Sequence, residues 1–276
     1  MTLPSDAAAL AGALLQRFVA DPMEQFVIQP LIPLSLGPFD VSLTNSTLWM
    51  LITVAVGYSF FFAATRANAL IPGRMQSVAE LAYEFVAEMV RDSVGPNGMK
   101  FFPYVFTLFI FILLSNWLGL LPSLTFLPHE LHTFTTTSHI AVTLALGLLT
   151  ISIVLGYSLV KNGAKTYKMF LPSGLPVAIA PLLLVIEIIS FISRPISLGI
   201  RLFANMTAGH VILKVFAGFI VTLLGAGATL KAVSIIPFLG ILAVTLLEIL
   251  VGFLQAYIFA ILTCIYLGDA EHAADH

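Results

Sequence analysis

Charge is what this sequence has least of. Asp, Glu, Lys and Arg make up 9% of its 276 residues, against 59% hydrophobic. A soluble domain needs about 25% charged residues to surround its core with a wetted surface, so an ordinary soluble fold is excluded. Twelve Lys and Arg against fourteen Asp and Glu leave a formal charge of -2. Without a basic excess there is no electrostatic footprint for nucleic acid. Cysteine is almost absent: Cys264 alone can form neither an internal disulfide nor a cysteine-rich metal site, and in its apolar run it reads as a small core residue. There is no HExxH and no GxSxG, the motifs that an intramembrane hydrolase would be sought by. Haem ligation of the cytochrome b type needs histidine pairs within apolar runs, and only His210 lies deep in one. His129 and His132, in PHELH, lack a third ligand, so no metal site and no cofactor is expected. A secondary ion transporter with a mid-membrane charged site stays as the alternative reading, although no internal repeat or matched pair of broken helices supports it.

What the sequence has instead is long apolar runs, and these predict an all-α polytopic membrane protein, a single membrane domain with about five crossing helices. After an N-terminal segment over 1–47, uncharged runs at 48–65, 104–121 and 140–160 give three spans. Met1 to Ala20 has no compact apolar core followed by a small-residue cleavage site, so it is expected to belong to the mature chain. Residues 75–94 read MQSVAELAYEFVAEMVRDSV. Glu80, Glu84 and Glu88 recur every four residues opposite Val78, Leu81, Ala82, Phe85, Val86 and Met89, the pattern of an amphipathic surface helix with a solvated acidic stripe. Arg66, Arg74, Arg91 and Lys100 lie between spans one and two, and Lys161, Lys165 and Lys168 follow span three. The positive-inside rule places both segments on the cytoplasmic or matrix side. The loop over 122–139, with no Lys or Arg, and the N-terminal segment then lie outside, and the tail over 268–276 lies inside.

Two longer apolar stretches, 175–229 and 232–267, exceed the roughly 20 residues of a perpendicular crossing. The excess predicts tilted helices 4 and 5 forming a hairpin, with its turn near Gly225 and Gly227. A charge inside hydrocarbon costs about 2.5–3.5 kcal/mol on insertion scales, so each deep one must face a partner or water. Glu187, Arg194 and Arg201 recur every seven residues. At about 100° per residue they drift only about 20° per step and form one stripe, with Asn205 about 40° further round. His210 and Lys214 project to the opposite side. On the last helix Glu248, Gln255 and Tyr266 fall on one side. The hairpin brings Glu248 and His210 together in its outer half, as a pair or around shared water, and sets Arg201 and Gln255 deeper. Arg201 is a fixed cation, whereas Glu187, Glu248 and His210 can exchange protons. Arg194, nearer the inner surface, reads as reaching the headgroups, and Lys214 and Lys231 as interfacial.

These residues also carry a resemblance. SRPISLGIRLFANMTAGH over 193–210 and EILVGFLQAYIFAILTCIYL over 248–267 resemble the signature of subunit a of F-type ATP synthases. DPMEQFVIQPLIPL over 21–34, FTLFIFILLSNWLGLLP over 106–122 and TTTSHIAVTLAL over 135–146 extend it along nearly the whole chain. The resemblance implies a proton-conducting stator subunit, not an enzyme by itself. It implies assembly with a rotor ring of c subunits, peripheral-stalk b-type subunits and other membrane-sector subunits, the hairpin lying against the ring. It gives Arg201 the place of the arginine facing the ring carboxylates, Asn205 and Gln255 the places beside it, and His210 and Glu248 the outer half-channel. Glu187, with Ser190, Ser193 and Ser197, takes the inner half-channel, and Tyr266 the inner end of the last helix. Asn116 matches the family, whereas Gly119 stands where some bacterial members carry an acid. The implied location is a bacterial inner membrane, with the mitochondrial inner membrane as the alternative.

Overall fold

The computed structural model describes residues 27–28, 30–33, 35–36, 39–40, 42–66, 72–121, 135–170, 179–225 and 228–272. The expectations for residues 1–26, His129, His132 and Gly227 lie outside them. The chain is helical, with one addition that hydropathy did not signal. Between residues 30 and 44 it forms two small antiparallel pairs, β1 (Pro30–Ile32) with β4 (Leu43–Thr44) and β2 (Ser35–Leu36) with β3 (Phe39–Asp40).

Among the described residues seven α-helices follow: α1 (Asn45–Arg66), α2 (Arg74–Val94), α3 (Phe102–Gly119), α4 (Ile140–Asn162), α5 (Ala180–Gly225), the short α6 (Ala228–Val233) and α7 (Ile235–His272). Single 3-10 segments join α2 to α3 (Pro96–Phe101), precede α4 (Thr136–Ser138) and follow it (Gly163–Phe170). Among the described residues five helical stretches are long and apolar enough to cross a membrane: Asn45–Arg66, Pro96–Gly119, Ile140–Asn162, Pro181–Gly225 and Lys231–His272. Helix α2 is the amphipathic one. Val86, Ala87, Val90 and Val94 are buried on its inner face, while Glu80, Glu84 and Glu88 are exposed.

Helix α7 is the central element, packed against α2, α3, α4 and α5. The core gathers Val86 and Val90 of α2, Val105, Phe109 and Ile112 of α3, Val154 of α4, Leu202 and Met206 of α5, and Ala256, Ala260, Cys264 and Leu267 of α7. Cys264 is a free, buried core residue. Lipid is as apolar as leucine, so helices in a membrane associate through close backbone approach more than through solvent exclusion. Glycines provide that approach here. A Cβ at Gly147 of α4 would sit 3.2 Å from the Pro195 carbonyl oxygen of α5, and one at Gly199 of α5 would sit 3.1 Å from the Thr143 carbonyl oxygen of α4. Gly268 of α7 meets the Ser93 carbonyl of α2 in the same way.

Candidate functional site

The antiparallel register of α5 and α7 follows from four contacts. The Phe216 ring covers Gly240, Gly209 abuts the Glu248 side chain, Arg194 shares a groove with Leu262, and the rings of Phe191 and Tyr266 meet edge to face at 5.3 Å. Each step back along α5 is matched by a nearly equal step forward along α7. That register sets Arg201 level with Gln255, although no side-chain bond joins them: Gln255 is buried at 5% exposure and Arg201 is exposed.

The polar stripe of α5 lies on an uncovered face. Ser193, Arg194, Ser197 and Arg201 line a shallow groove closed on one side by Leu198 and by Leu262 of α7. Asn205 is exposed one turn beyond Arg201, and Ser190 is half-buried. Around these residues the outward surface is aliphatic, including Ile189, Ile192, Ile196 and Ile200. Glu187 pairs with Arg194 at 3.6 Å, about two helical turns apart on the same face. Arg194, expected to reach the headgroups, is thus tied to Glu187 and lies beside the Tyr266 hydroxyl. Among the described residues Arg201 has no ion pair.

The other polar cluster is internal. Glu248 is 4% exposed, and neither carboxylate oxygen has a hydrogen-bond partner among the described residues. It rests on Gly209 of α5, the residue before His210. The hydrogen bond identified for His210, however, runs to Thr135, whose Oγ1 lies 2.5 Å from Nε2. Helix α3 fixes the turn of α7 that follows this carboxylate: Trp117 Nε1 donates to the Ile249 carbonyl at 3.2 Å and Asn116 Nδ2 to the Gly252 carbonyl at 2.9 Å. Asn116 Oδ1 accepts from Thr137 Oγ1 at 2.8 Å. Gly209 and Thr135 were not singled out from the sequence. A glycine beside His210 and an unbroken Thr-Thr-Thr-Ser run are the signals that mark them.

The arrangement defines a class: a polytopic helical membrane protein with a fixed cation on one uncovered helix face and titratable groups inside the adjoining helix packing. The family model described as ATP synthase A chain matches residues 47–268, and the chain belongs to that family. It is 52% identical to ATP synthase subunit a of Mesorhizobium japonicum over 252 residues, 91% of this chain and 96% of that protein. It is likewise 52% identical to ATP synthase subunit a of a Chelativorans species, over 91% of this chain and 98% of that protein. ATP synthase subunit a of Rhizobium etli strain CIAT 652 is 50% identical over 93% of this chain and 99% of its own length.

Proposed function

We propose that this chain is the stator subunit through which protons reach and leave a rotor of c subunits, by two offset half-channels that meet at Arg201. Family membership makes it a multi-pass component of the membrane sector of ATP synthase, not its catalytic part. The bacterial relatives favour a bacterial inner membrane. Peripheral-stalk b-type subunits and the remaining membrane-sector subunits are its further partners.

The observation that carries the reading is the state of Arg201. It lies exposed on an aliphatic helix face, without an ion pair among the described residues, while Glu187 is taken by Arg194. An unmatched cation at membrane depth is costly unless something outside the chain compensates it. A carboxylate carried past this face by a ring of partner helices supplies that compensation.

A proton entering from the outer side passes the His210 and Glu248 cluster and neutralises a rotor carboxylate, which can then enter lipid without a buried charge. After nearly a full turn the carboxylate meets the inner half-channel, with Glu187, Ser190, Ser193, Ser197 and Tyr266 along it, and releases its proton inward. As an anion it is drawn to Arg201, with Gln255 at the same level and Asn205 one turn beyond. The fixed cation also repels a proton crossing directly between the half-channels. The drive is about 2.3 kcal/mol per charge per 100 mV, so several protons serve each ATP.

Arg201→Ala tests this. In membranes carrying the complex at normal levels, ATP synthesis driven by a proton gradient is expected to vanish. Coupled synthesis at the unsubstituted rate would overturn the gate assignment.

A further inference from the structure

The connection entering α4 is unusual for a membrane protein, because four polar residues in a row are buried: Thr135, Thr136, Thr137 and Ser138 are 5%, 1%, 0% and 2% exposed. Burying hydroxyls away from water is costly unless they find partners. Three of them do. Ser138 Oγ closes its own turn by donating to the Thr135 carbonyl at 2.6 Å, and the Ser138 carbonyl accepts from Thr207 of α5 at 3.5 Å. Thr137 donates to Asn116 of α3, which in turn holds the α7 backbone at Gly252, one turn from Glu248. Thr135 reaches α5 and contacts His210 Nε2.

The site for Thr135 is shaped by α3. A Cβ added to Gly119 would fall on the Thr135 side chain, meeting Oγ1, Cβ and Cγ2 together. Any larger residue at 119 would drive the hydroxyl off the imidazole. The connection is therefore seated between α3 and α5 at the level of His210 and Gly209, where Glu248 of α7 also packs. A hydroxyl both donates and accepts, so it can hold either tautomer of the ring and fix its orientation.

We infer that Thr135, seated over Gly119, is a further positioning residue of the His210 and Glu248 half-channel: its hydroxyl holds the His210 imidazole in the orientation that proton passage requires. The inference rests on the half-channel reading above. It is carried by the contact to Nε2, by the absence of room at Gly119 for anything but this side chain, and by the Thr137 and Asn116 bonds that pin the same connection to α7.

The test uses membrane vesicles holding the whole complex, with passive proton flux through the membrane sector measured at equal incorporation. Thr135→Val keeps the volume and removes the hydroxyl; flux is expected to fall roughly five- to tenfold, the size of one lost hydrogen bond. Thr135→Ser restores it. Gly119→Ala, which leaves the hydroxyl in the chain but displaces it, is expected to give the same loss. If the Val variant is not incorporated, Thr135→Ala is read in its place. In a His210→Ala background Thr135→Val should add nothing, because its effect passes through the ring. Unchanged flux in Thr135→Val, or an additive loss in the His210→Ala background, overturns the inference. Glu248→Gln is run alongside: if it leaves flux unchanged the half-channel reading itself fails, whereas if it blocks flux and Thr135→Val does not, only the role of Thr135 fails.

Discussion

A Cβ placed on Gly209 would fall on the Glu248 carboxylate, so the glycine is a condition for the acid's position and not a spacer. Gly209→Leu should therefore imitate removal of the acid without touching it. Passive proton flux is expected to drop at least about tenfold, within the range that positioned proton-transfer groups contribute. Normal flux in fully assembled Gly209→Leu complexes would show that Glu248 need not sit there. The two arginines of α5 divide in a comparable way. Spacing puts Arg194 and Arg201 on one stripe with Glu187. The pair at 3.6 Å assigns Glu187 to Arg194 and leaves Arg201 without an ion pair among the described residues.

At the scale of elements, α4 and α5 approach closely enough that Gly147 lies on Pro195 and Gly199 on Thr143. Pro195 sits inside α5 and has no N–H to donate, so one carbonyl a turn earlier loses its helical bond. Gly147→Leu would force these backbones apart. Overpacking of this kind costs about 1–3 kcal/mol, so a thermal midpoint lower by roughly 3–10 °C is expected for the detergent-solubilised protein. An unshifted midpoint would mean that the two helices separate freely. The excess length of α5 and α7 was legible from their apolar runs. Their register was not, because it depends on which small residue of one helix receives which side chain of the other: Gly240 receives Phe216, and Gly209 receives Glu248.

Across the whole molecule, one carboxylate ties three distant segments together. Glu271, at the end of α7 and 5% exposed, bonds Lys100 at 2.7 Å, Lys161 at 2.8 Å and the Tyr157 hydroxyl at 2.5 Å. Asn162 adds a bond to the Ala270 carbonyl at 2.8 Å. These contacts anchor the end of α7 to the start of α3 and the end of α4, the same end of the bundle at which Tyr266 meets Phe191. Glu271→Gln keeps the shape and removes the charge. Both lysines are partly exposed, so the loss is discounted to about 1–2 kcal/mol, measurable as reduced thermal stability. No change would show that this end is held by packing alone.

Composition and hydropathy by themselves determined that the chain is an all-α membrane protein with about five crossing helices, and five long apolar helices stand among the described residues. The reason is physical: in lipid every backbone polar group must be bonded within its own segment, so apolar length converts directly into helices. The amphipathic pattern of α2 was legible on the same ground, since its exposed acidic stripe follows from helical periodicity. The short strand pairs between residues 30 and 44 were not legible, because such short runs carry no period. Only the tertiary structure decided that Glu248 rests on Gly209 and that His210 meets Thr135 over Gly119. Those are meetings between segments far apart in the chain, fixed by the close approach of helices at glycines, and no local spacing encodes them.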